Sequence, residues 1–116
     1  MTTLLVMEDD ARIEALKEAI RRRHGYRATF VETVEVREEH QERIVWWGTV
    51  KVFDIIGHPK ARRAYAWSYP TTVGKRRFVT VLGLPPVNSA VMAVRASILA
   101  DEKAKGKVMR LRSSEG

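Results

Sequence analysis

The chain has 116 residues, a formal net charge of +7 and no cysteine. That length fits one domain with one core, and the lack of cysteine excludes disulfides and thiolate chemistry. Ordinary apolar content with abundant charge excludes a disordered chain, no apolar run nears the roughly 20 residues of a membrane span, and the short Leu4 to Met7 patch lacks a basic leader, so a cytoplasmic protein is expected.

From Asp9 to His24, Ile13, Leu16 and Ile20 recur at helical spacing, with Glu8, Asp9 and Asp10 at the start and Arg21 to His24 at the end. This order suits the helix macrodipole, and Gly25 is a natural stop. The pattern then switches to β-branched and aromatic residues over Thr29 to Arg37, Ile44 to Ile56, Ala61 to Tyr69 and Arg76 to Leu84, which predicts four strands. Glu38 to Arg43, Gly57 to Lys60 and Pro70 to Lys75 are short enough to be hairpin turns, giving an antiparallel meander. Pro85 and Pro86 end the last strand. Asn88 or Ser89 caps a second helix that runs to about Lys105, with Val91, Val94 and Ile98 as its stripe and Gly106 as its close.

The expected fold is therefore α+β: an N-terminal helix, a four-stranded meander and a C-terminal helix, in a two-layer or curved-sheet arrangement spanning residues 1–106. Lys107 to Gly116 is charged and is expected to be a loosely ordered basic tail. In the second strand both parities are apolar, with Trp46, Val50 and Val52 on one side and Val45, Trp47, Phe53 and Ile55 on the other. Two helices laid on one face leave the other face uncovered, so a pocket or a homodimer is expected to cover it.

The segment from Gly57 to Tyr69 carries the densest functional signal. A Gly-His-Pro turn leads to Lys60, Arg62 and Arg63, and strand alternation then sets Arg63, Tyr65, Trp67 and Tyr69 on one face. Cations beside aromatics suit phosphate attraction combined with base stacking, so Lys60, Arg62, Arg63, Tyr65, Trp67 and Tyr69 are the candidate binding residues for an anionic partner such as nucleic acid. The same aromatic face also suits a dimer core. For any single basic cluster, a solvated surface or a helix end is the plainer account.

Acid–base chemistry has its own candidate set. In an unbulged strand Glu32 points with Phe30, Val34 and Val36, where burial raises a carboxyl pKa, and Asp54 precedes His58 by one turn. Glu32, Asp54, His58 and Tyr65 thus form an alternative catalytic set for a small hydrolase or isomerase. The structural alternatives are an arginine pair for Glu32, a turn cap for Asp54 and turn geometry for His58. A third reading is a purely structural subunit. His24, His40 and His58 are far apart, so neither a metal nor a cofactor is expected. Gly74-Lys75 lacks the earlier glycine and the following Ser or Thr of a phosphate loop, and neither Ser68 nor Ser89 sits in a nucleophile elbow.

The outline of helix, meander and helix is similar to double-stranded RNA-binding domains, which have three strands and a lysine-rich start to the final helix. Here that start is Asn88, Ser89, Ala90 and Val91, and outline alone assigns no activity. The run Val52-Phe53-Asp54, then Gly57-His58-Pro59-Lys60-Ala61, Tyr65-Ala66-Trp67 and Pro85-Pro86-Val87, resembles a family of short uncharacterised bacterial proteins. That resemblance implies a compact bacterial domain and brings no activity, cofactor or catalytic residue.

Overall fold

The computed structural model describes residues 2–72 and 74–101. Helix α1 (Thr2–His24) leads into strands β1 (Arg27–His40), β2 (Arg43–Ile56), β3 (Arg63–Pro70) and β4 (Arg76–Leu82). A second helix, α2, covers residues 90–101. The strands form one antiparallel sheet in the order β1-β2-β3-β4, so the predicted α+β element order holds. The predicted end of the second helix, Gly106 and the basic tail lie outside the described residues. No helix among the described residues is long and apolar enough to cross a membrane.

Two local boundaries differ from the sequence reading. Helix α1 begins at Thr2 rather than Asp9, so the acids at positions 8–10 lie inside it instead of capping its start. The first hairpin turn shrinks to Gln41 and Glu42, both with positive φ (51° and 64°), which is the two-residue turn whose backbone matches the twist of its strands. Neither residue is the Asn or Gly that normally announces such a turn, so β1 and β2 run longer than expected.

The larger difference is in the layers. Helix α1 packs Ile13, Leu16 and Ile20 against Ala28, Phe53, Ile55, Ala64 and Ala66. Helix α2 packs Ala90, Ala93 and Val94 against Val36, Val50, Val52, Tyr65 and Trp67. On β2 and β3 these residues have opposite parity, and a register shift separates Ala28 from Val36 on β1, so each helix takes one face of the sheet and the two do not share a face. Both apolar parities of β2 are thereby covered over its second half.

Helix α1 crosses its face from β1 and β2 to β4. At the β4 end, His24 Nε2 lies 2.8 Å from Thr80 Oγ1. At the other end the buried Lys51 donates to Asp9 Oδ1 at 2.7 Å and to Thr33 Oγ1 at 2.8 Å, with its ammonium 5.9 Å from the Phe30 ring centre. An ammonium taken out of water needs these partners. We predict that Asp9→Ala, which strands the buried charge, lowers stability by about 1–3 kcal/mol in urea unfolding. Lys51→Met, which keeps the apolar stem and removes the charge, should cost less than Asp9→Ala.

Candidate functional site

The α2 face of the sheet carries most of the predicted site residues. Pro85 and Pro86, joined by a cis peptide, redirect the chain after β4, and Ser89 starts α2 by accepting the Ala93 N–H on its carbonyl (3.0 Å) and the Met92 N–H on Oγ (3.4 Å). The small residues Ala90 and Ala93 then let α2 settle on the large side chains of β3. Tyr65 and Trp67 are consequently only 3% and 4% exposed. This corrects the expectation of an open aromatic face: the stacking surface of Trp67 is occupied by α2 and by Trp46, which meets it edge to face at 5.6 Å. Of the expected face, Arg63 and Tyr69 are exposed.

A cleft of about 420 Å³ opens at the start of α2. It is lined by Glu32 and Val34 from β1, Val52 from β2, Arg63 and Tyr65 from β3, and Asn88, Ser89 and Val91 from the entry to α2. Glu32 reaches it through a register shift. Phe30 pairs with Phe53 and Glu32 with Val52, so Val31 is the extra residue of a bulge and Phe30 turns to the opposite face from Glu32 and Val34. The carboxylate is exposed at the cleft wall rather than buried among apolar side chains. Burial pushes the Tyr65 phenol up, with the Glu32 charge acting in the same direction and Arg63 opposing both. Arg63 Nε in turn lies 3.5 Å from Asp54 Oδ1.

His58 does not join this group. Its Nδ1 accepts the backbone N–H groups of Lys60 (2.9 Å) and Ala61 (2.8 Å), and its ring lies against Tyr26 at 4.9 Å. The imidazole therefore holds the β2–β3 turn, and the proposed four-residue catalytic set is divided between the cleft and that turn. Lys60 and Arg62 are exposed on the same turn.

A second cleft, of about 530 Å³, wraps the free edge of β4 at the far end of α2. Trp46 and Trp67 line it together with Tyr69 and Arg77, which face each other across the β3–β4 pair, and with Phe78, Thr80 and Arg23. Tyr69 and Phe78 are 38% and 41% exposed. Arg76 stiffens the hairpin beside it by donating to Ser68 Oγ (3.1 Å and 3.2 Å) and to the Ser68 carbonyl (3.2 Å). Sequence reasoning named Tyr69 as a candidate binding residue, but read Arg23 as a helix-end charge and did not single out Arg77 or Phe78. Their convergence is a tertiary event. Asn88 and Ser89 were read as caps only. Among the described residues no group of three His, Cys, Asp or Glu side chains is placed to hold a metal ion.

Against known protein families, curated proteins and solved structures, the chain has no match.

His24, the last residue of α1, contacts Thr80, which lines the second cleft. Burial lowers its pKa from the ordinary 6.5, and Arg23 and His58 add to that effect while the contact with Thr80 opposes it. The folded protein therefore binds fewer protons here than the unfolded chain. The resulting stabilisation is complete above pH 6.5 and is lost as the pH falls from there through the lowered folded value. We predict that melting temperature drops as the pH falls below about 6.5, and that His24→Gln flattens part of this slope in thermal unfolding across a pH series.

Proposed function

We propose that this chain is a small basic binding protein that pairs with a second copy of itself and holds an anionic partner, single-stranded nucleic acid, at the β4 edge. The observation that carries this reading is the second cleft, where arginines from two separate elements, Arg23 and Arg77, stand beside the exposed rings of Tyr69 and Phe78. Bases stack on such rings whatever their identity, while the guanidinium groups attract the phosphates between them. Lys75 next to the cleft, and Lys60 and Arg62 at the opposite end of β3, extend the positive surface. The net charge of +7 favours approach of a polyanion.

Self-association is supported by the first hairpin. β2 pairs with β3 only from Lys51 to Asp54, so among the described residues the earlier part of β2 has β1 on one side and no strand on the other. That edge reads Ile44-Val-Trp-Trp-Gly-Thr-Val50 without a charge or a proline, and Trp47 is 62% exposed although its indole donates to Glu35 (3.0 Å) and its ring lies under Arg37. An uncharged open edge with exposed apolar side chains pairs readily with its own copy about a two-fold axis.

Fluorescence anisotropy with labelled oligothymidylate at two salt concentrations tests the binding. Affinity should fall steeply with salt, Arg77→Ala should weaken binding and flatten the salt slope, and Tyr69→Ala should cost roughly 1–3 kcal/mol. No binding at low salt sinks the proposal. For the pairing, sedimentation of the full chain should give a dimer that Trp47→Glu dissociates, and a monomer at every concentration would refute it.

One observation favours a second reading, an acid–base enzyme of hydrolase or isomerase type: Glu32 and Tyr65 line the same cleft at the start of α2. Glu32→Gln would then abolish turnover without altering the fold.

A further inference from the structure

The cleft at the start of α2 holds a polar group that has no hydrogen-bond partner among the described residues. Tyr65 is 3% exposed, yet its hydroxyl makes no hydrogen bond among the described residues, and no fully enclosed side-chain oxygen or nitrogen among them lacks a partner. The hydroxyl is therefore not sealed in the core: its remaining accessible surface opens into the cleft that Tyr65 lines. Water in the cleft can receive this donor, and a ligand acceptor seated there takes the place of that water. Around it stand the Arg63 guanidinium and the first turn of α2, Ala90 and Val91, whose backbone N–H groups carry the positive end of the helix dipole. Val34, Val36 and Val52 give the cleft an apolar patch, and Glu35, Arg37, Asn88 and Ser89 complete its lining.

We infer that this cleft binds a small organic monocarboxylic acid that carries a hydroxyl or amino group, with the carboxylate on Tyr65, Arg63 and the first turn of α2. Its hydrocarbon part lies on the valine wall. Glu32, across the same cleft, accepts from the ligand's own hydroxyl or ammonium and repels a second negative charge, so an acid with one charge is preferred to a phosphate. The volume of about 420 Å³ is in the range of small-molecule sites. Binding of the acid does not require Glu32 to perform chemistry, and it is separate from the β4-edge cleft at the other end of α2.

The test is a chemical-shift titration of the isotope-labelled full chain with three probes: 2-hydroxybutyrate, butyrate and inorganic phosphate. The hydroxy acid should move the Ala90 and Val91 amides saturably, and butyrate, which lacks the donor for Glu32, should bind about tenfold more weakly. Phosphate should bind weakest. Tyr65→Phe and Arg63→Ala should each weaken the hydroxy acid by about tenfold while the melting temperature stays as in the parent, because the phenol hydroxyl bonds nothing among the described residues and Arg63 is exposed. Phosphate binding as tightly as the hydroxy acid overturns the assignment. So does the absence of any saturable shift at Ala90 and Val91, or a Tyr65→Phe variant that binds as well as the parent.

Discussion

The whole arrangement depends on a size match across the two faces of β3. One parity of that strand is small, Ala64 and Ala66, and receives the large side chains Ile13, Leu16 and Ile20 of α1. The other parity is large, Tyr65 and Trp67, and receives the small side chains Ala90 and Ala93 of α2. Interiors pack at nearly crystalline density, so bulk on the strand demands slenderness on the helix and the reverse. A sheet filled this way needs one helix per face. The same matching places α1 and α2 on opposite sides, although nothing in their own sequences names the face each will take.

Seating α2 on Tyr65 and Trp67 also decides what the aromatic strand is for. These rings are structural for most of their area, and only their outer ends meet solvent, at the two clefts that flank the helix. One cleft brings together a phenol, a guanidinium, a carboxylate and a helix start. The other combines arginines with exposed rings around a free strand edge. A single packing event thus divides the predicted aromatic face between two chemically different clefts. On the readings proposed above, the first would select by hydrogen bonding in a confined volume, and the second would attract by charge and stacking over an open surface.

Charge is used unevenly. Several exposed ions form pairs along α1, where Glu18 meets Arg21 and Arg22 and its carboxyl is pulled down to about 2. Such exposed pairs contribute little to stability. Lys51 is different because it is buried between α1 and the sheet and takes its partners from both, which fixes where α1 crosses the first hairpin. On the other face Arg95 of α2 reaches Glu38 of β1 at 2.8 Å, so the long hairpin is held from both sides while its tip and the open edge of β2 remain exposed.

Periodicity alone carried the element order, the meander and the two apolar parities of β2, because local spacing dictates which residues share a side. The same spacing put Tyr69 on one face with Tyr65 and Trp67, but only Tyr69 stays exposed, because α2 covers the other two. The bulge at Val31, the turn at Gln41 and Glu42, and the positions of Arg23 and Phe78 were not legible, since each depends on a partner distant in the chain. The amino-acid order on its own determined a four-stranded sheet that is apolar on both sides. Only tertiary packing decided that one helix covers each side, that His58 holds a turn instead of facing Glu32, and that Tyr65 ends in a cleft, because those outcomes follow from which volumes fit together across the sheet and not from any residue's immediate neighbours.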